Sequence, residues 1–182
     1  GENYCYLYLN REEADLFLYS YIKQGLDKDE KILYISADHN DDAFINLLKE
    51  HGIDVEEARR TGKIFMAGID KKTEIDTIYE GHASGMEGPP ETVFRIIADD
   101  TENLKEIGRK GFLHVPDDLG PVVNERSVLV SMYCIDGISP EALLHILAVY
   151  PSLIIGDEVY ENFLFCGPAT AQHDETKTVN AG

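Results

Sequence analysis

Tyr4-Cys5-Tyr6-Leu7-Tyr8-Leu9 reads as an apolar strand that runs straight into Asn10-Arg11-Glu12-Glu13. In a nucleotide-binding α/β protein, this first strand–helix junction holds a glycine-rich loop. Such a loop needs glycines so that successive backbone N–H groups turn inward, and a Lys to meet the terminal phosphates. Here the junction offers two carboxylates and no glycine, so it repels phosphate. The chain has the pattern of an NTPase-like α/β fold without the part that holds NTP. It reads as a binding module.

Working outward, Asn10 with Glu13 three residues on forms a capping box. Ala14, Phe17, Leu18, Tyr21 and Ile22 then follow helical spacing, and Gly25 is expected to end the helix. Lys31–Ser36 is a short strand apolar enough to be buried on both faces. Asp38–Asp42 caps a second helix through Phe44, Ile45, Leu47 and Leu48, and Asp54 with Glu57 caps a short third one. Lys63–Ala67 reads as a strand. Gly68–Pro90 is a long connection with four glycines and two prolines, and could serve as a lid over a pocket.

Beyond it, Val93, Ile96, Ile97, Leu104 and Ile107 predict a helix over Glu91–Gly108. Phe112–Val115 and Ser127–Tyr133 read as strands, and Ser139-Pro140-Glu141 opens a helix by N-cap and N1 proline. Ser152–Ile155 and Glu158–Phe165 read as an antiparallel hairpin on the sheet edge. The alternation gives an α/β fold class: three layers, a mostly parallel sheet with helices on both faces, and that edge hairpin. Residues 1–167 form the expected domain, and 168–182 a polar, flexible tail.

At 182 residues the chain is long enough to bury roughly 70% of its unfolded surface. Its net charge of −18, from 34 acidic against 16 basic residues, disfavours nucleic acid and anionic lipid, both polyanions. No apolar run approaches the ~20 residues of a membrane span, and no signal peptide is visible. Cys5, Cys134 and Cys166 make an odd number without CxxC spacing, which fits reduced thiols in a cytoplasmic protein. The chain opens at Gly1 and enters its first strand almost at once, as an excised piece of a longer protein would.

Several segments together resemble a known family. They are Asn3-Tyr4-Cys5-Tyr6-Leu7-Tyr8, the Ile22-x-x-Gly25-Leu26 to Glu30-Lys31-x-Leu33-Tyr34-Ile35 block, Gly52-Ile53-Asp54 to Gly62-Lys63-Ile64, Tyr150-Pro151-Ser152-Leu153-Ile154-Ile155-Gly156, and Tyr160-x-Asn162-x-x-Phe165. Over residues 3–165 this resembles the MEDS domain, a sensory domain of methanogens and methylotrophs. The resemblance implies a cytoplasmic module that binds a small one-carbon or hydrocarbon-derived compound and signals to a histidine kinase or helix-turn-helix regulator. The middle of the chain is also similar to the RecA/KaiC-type ATPase core, which implies kinship of fold.

The chain departs from the family pattern at Asn3, where the pattern has His, at Ser131, where it has Cys, and at Tyr150, where it has His. The resemblance therefore carries over no metal site and no cofactor.

Candidate ligand-binding residues are Cys5, Asp117, Asp118, Tyr133, Cys134 and Tyr150. Cys5 and Cys134 fall on strands expected to be neighbours, where a thiol pair could grip a soft metal or an electrophilic carbon compound; both also read as small buried hydrophobes. Asp117 and Asp118 follow a strand at the carboxyl edge, where open α/β sheets bind ligands, and equally form an Asx turn. Tyr133 and Tyr150 line the expected pocket as aromatic walls with phenolic tips.

No nucleophile elbow, HExxH or serine triad asks for catalysis. The first expectation is thus a non-catalytic ligand sensor. The alternatives are a hydrolysis-deficient RecA/KaiC-like nucleotide-binding domain and a ligand-free interaction module, one that could form a homodimer.

Overall fold

The computed structural model describes residues 2–36, 41–68, 91–99 and 127–165. Their elements in chain order are β1 (Glu2–Tyr8), α1 (Arg11–Asp27), β2 (Lys31–Ser36), α2 (Asp41–Glu50), α3 (Val55–Arg60), β3 (Ile64–Gly68), β4 (Phe94–Asp99), β5 (Val128–Cys134), α4 (Pro140–Val149), β6 (Ser152–Ile155) and β7 (Glu158–Glu161). Seven strands form one sheet in the order β3-β2-β4-β5-β1-β6-β7, all parallel except the final β6–β7 pair. None of the described helices is long and apolar enough to cross a membrane.

Topology fixes which face each helix covers. From β1 the chain moves past β5 and β4 to β2, whereas from β5 it moves the other way, past β1, to β6. Right-handed crossovers in opposite directions lie on opposite faces of a sheet. One face accordingly packs α1 through Ala14, Leu18 and Ile22, with Phe44, Leu48 and Val55 beyond, against Tyr6, Tyr8, Tyr34, Val130 and Met132. The other packs Ile146 of α4 against Cys5, Leu7 and Tyr133. The period of two thus sends Tyr4, Tyr6 and Tyr8 to the α1 face. Phe17 of α1 stacks on Tyr6 with ring centroids 4.0 Å apart.

Three of the expected N-caps form, at Asn10, Asp54 and Ser139, while Asp38, expected to cap α2, lies outside the described residues. Asn10 Oδ1 accepts from the Glu13 amide at 3.0 Å, and Glu13 Oε2 accepts from the Leu9 amide at 2.9 Å. Asp54 and Ser139 accept from the amides of Glu57 and Ala142. Each satisfies a donor that a helix start leaves open.

Two expectations are corrected. Phe94–Asp99 is a strand, not the start of a helix, and it lies between β2 and β5 with every residue buried. Val93, Ile96 and Ile97 match helical spacing, but a strand covered on both faces is a continuous apolar run that matches it too. Residues 100–108 of that expected helix lie outside the described residues, as do the Phe112–Val115 strand, most of Gly68–Pro90 and the tail from residue 168.

Gly25 does not end α1, which continues to Asp27. Its role is close approach: a Cβ there would stand 2.6 Å from Ile32 Cδ1 and 2.9 Å from Arg95 Cδ. The missing side chain makes room for Arg95, which is buried in β4. Its guanidinium ion-pairs with Glu30, donates to Tyr21 O at 3.2 Å and to Gln24 Oε1 at 3.1 Å, and lies 4.4 Å from the centre of the Tyr21 ring. These bonds tie α1, and Glu30 just before β2, to β4 at the amino end of the sheet.

Candidate functional site

Strands β1 and β5 are neighbours whose following connections leave for opposite faces. The crevice beyond their carboxyl ends is where an open α/β sheet places ligands. Tyr8 lies beside Cys134 in register there, the Ile135 amide donates to Tyr8 O at 2.8 Å, and Cys134 Sγ is 3.7 Å from Leu9 O.

Arg11, in the first turn of α1, reaches across the end of β5 to Asp99 at the end of β4, with Nη1 3.0 Å from Oδ2. Tyr8 donates to the other Asp99 oxygen at 3.4 Å, and Arg11 Nε holds Asp15 at 2.7 Å. Burial works against the Arg11 charge, but Asp99, Tyr34 and Asp15 more than offset it and hold the guanidinium above its ordinary pKa. Burial and then Asp99 push Tyr34 up to about 12, against a partial opposing effect of Arg11. Among the described residues, the cation at this junction, Arg11, is therefore already bound by two carboxylates. It leaves little positive charge for a phosphate.

A second cluster lies under α4. Cys5, Leu7, Tyr133, Ile146 and Tyr150 form a buried group, and the Tyr133 and Tyr150 hydroxyls meet at 2.8 Å with their rings edge to face. Cys5 pairs in register with Ser131, and Ser131 with Ala98 of β4, so a row of small side chains crosses the sheet beside the tyrosines. Ser131 is buried, and its Oγ has no hydrogen-bond partner among the described residues. Burial pushes the Cys5 thiol well above the usual range, so it is held neutral and is a poor nucleophile or metal ligand.

Tyr150 caps α4, and its carbonyl accepts from Asn162 Nδ2 at 2.6 Å. The same amide donates to Leu147 O at 2.5 Å, while Asn162 Oδ1 accepts from the Leu164 amide at 3.0 Å. Asn162 thereby ties the end of α4 to the turn after the β6–β7 hairpin.

Of the expected site residues, the structure brings Cys5, Tyr133 and Tyr150 together. Cys134 is not with them. Its strand does neighbour that of Cys5, but Cys134 packs on the α1 face and Cys5 on the α4 face, so the two thiols cannot close on one metal or carbon centre. Asp117 and Asp118 lie outside the described residues. Among the described residues no three of His, Cys, Asp and Glu converge as a metal site would require.

Sequence reasoning missed Arg11 and Asp99. The signal was present, since Asp99 is the first acid after the apolar run Phe94–Ala98 broken only by Arg95. Reading 91–108 as a helix hid its position at a strand end.

The profile of the MEDS family, described as the methanogen/methylotroph, DcmR sensory domain, matches residues 4–151. That span runs from β1 to the residue after Tyr150 and ends before the β6–β7 hairpin. No curated protein matches the chain.

Proposed function

We propose that this chain, which belongs to the MEDS family of sensory domains, is a non-catalytic sensor that binds a small one-carbon or hydrocarbon-derived compound under α4. The observation that carries this reading is the buried, unpartnered Ser131 Oγ, set beside Cys5 on the face that holds the Tyr133–Tyr150 pair. A buried hydroxyl without a partner is uncommon, and a ligand group is one way to satisfy it. Among the described residues the neighbours of Ser131 across the sheet are the small, buried side chains of Cys5 and Ala98. That combination suits a compact, mostly apolar molecule carrying one hydrogen-bonding atom.

Signalling then follows a short covalent and hydrogen-bonded route. A compound that moves Tyr150 moves the end of α4 and, through Asn162, the hairpin turn. A kinase or helix-turn-helix regulator, fused or separate, would read that change. A nucleotide-binding role finds no support in Arg11, which Asp99 already engages.

The test is affinity for a compound that stabilises the protein, measured by calorimetry in site variants. Ser131→Ala and Tyr150→Phe should each weaken binding by roughly tenfold, the value of one lost hydrogen bond. Cys134→Ser should leave it unchanged. The opposite pattern, with Cys134→Ser and Asp118→Ala weakening binding and Ser131→Ala silent, would move the site to the carboxyl edge.

A further inference from the structure

Six of the large apolar side chains most open to solvent fall within 155–165: Ile155, Val159, Tyr160, Phe163, Leu164 and Phe165, with Phe163 91% exposed. They belong to the β6–β7 hairpin and the turn that follows it. Among the described residues β7 is the last strand of the sheet order, and all four of its residues are exposed. Antiparallel pairing sets Glu158 and Tyr160 beside Ile155 and Leu153 on one face, and Val159 and Glu161 beside Ile154 and Ser152 on the other. The hairpin thus shows apolar groups on both faces. Asn162 holds the turn in place, so Phe163 is displayed by a hydrogen-bonded structure.

The two glutamates of β7 discourage indiscriminate pairing at this edge, while the exposed apolar groups beside them remain uncovered among the described residues. We propose that β7 docks an extended partner segment by strand addition, and that this segment reads basic–apolar–apolar–basic. The pattern follows from β7 itself, Glu158-Val159-Tyr160-Glu161. Residues directly opposite on a paired strand have neighbouring side chains, so lysine or arginine belongs opposite each glutamate and apolar residues belong opposite Val159 and Tyr160. The pattern is the same for either strand direction.

A second copy of this chain is the wrong partner. Pairing β7 with itself in the centred antiparallel register sets Glu158 against Glu161 twice, and adds the repulsion of two domains of charge −18. The chain's own residues 168–182 carry no large apolar side chain except Val179, so they do not supply the pattern either.

The test uses two labelled synthetic peptides that differ only in a core of Lys-Val-Val-Lys or Glu-Val-Val-Glu. Binding is read by fluorescence anisotropy on the whole chain and on the Glu158→Lys/Glu161→Lys variant, with circular dichroism confirming that both fold. The wild type should prefer the Lys peptide, and the variant should invert that preference, each by roughly tenfold from two cross-strand charge pairs. Unchanged preference in the variant would show attraction to the overall negative field and overturn the proposal. So would absence of binding, or a concentration-dependent dimer that Val159→Asp dissolves. No small ligand enters this assay, so its failure and that of the sensor reading are separable.

Discussion

Arg11 meets Asp99 at 3.0 Å across the carboxyl end of β5, joining the start of α1 to the end of β4 over an intervening strand. The pair stands at the first strand–helix junction, where a nucleotide-binding α/β protein holds phosphate. Asp99 is buried and accepts from both Arg11 and Tyr8. Asp99→Ala should therefore destabilise the fold by about 2–3 kcal/mol, as expected when the acceptor of a charged, partly buried bond is removed. Urea unfolding checks this. A loss below about 0.5 kcal/mol, the range of ordinary surface substitutions, would show that the pair is not structural.

The Tyr133 and Tyr150 hydroxyls depend on each other. Tyr133→Phe and Tyr150→Phe should each cost about 1–2 kcal/mol, and the double variant less than the sum of the two. A coupling of roughly 0.5 kcal/mol or more in the double-mutant cycle is the expected result. Simple additivity would mean that the hydroxyls do not act as a pair.

Asn162 satisfies two carbonyls and one amide with a single side chain. Asn162→Ala should lower stability by about 2–4 kcal/mol, with amide exchange rising in the turn through Phe165 before the rest of the sheet opens. Hydrogen-exchange mass spectrometry follows both. Uniform exchange across the chain would contradict a local anchor.

Alkaline pH should unfold the domain through its buried tyrosines. Burial, and then Asp99, raise Tyr34 to about 12, and burial raises Tyr21 to about 12 with Arg95 opposing, against 10 for a free tyrosine. A pKa raised in the folded state gives stability that is complete below pH ~10 and is lost as pH climbs towards ~12, because the unfolded chain releases its protons first. Denaturant midpoints measured at rising pH should hold to about 10 and then fall. Tyr34→Phe should make the decline shallower.

Much of the fold is legible in the sequence for a physical reason. Caps at Asn10, Asp54 and Ser139 are local, and local hydrogen bonds do not need the rest of the protein. β4 is the failure, because its place between β2 and β5, with every residue buried, is set by parts of the chain far away in sequence. Gly25 fails likewise: its constraint is the close packing of Ile32 and of Arg95, seventy residues on, and no local signal separates that from a helix stop. For the site, Cys5, Tyr133 and Tyr150 fall in one cluster, the two tyrosines being those that the family resemblance singles out. The face assignment of Cys134 followed only once the register with Tyr8 was known. One residue of parity decides which side of the sheet a thiol occupies.

The most direct test of the sensor reading is a thermal-shift panel of one-carbon, methylated and halogenated compounds, with Mg-ATP as the competing ligand. A compound at a hundred times its dissociation constant adds ~2.7 kcal/mol, enough to raise the midpoint of a chain this size by roughly 5–10 °C. A rise with a small organic compound, and none with Mg-ATP, is the predicted result. A rise with Mg-ATP alone would contradict it and make the first strand–helix junction a nucleotide site after all.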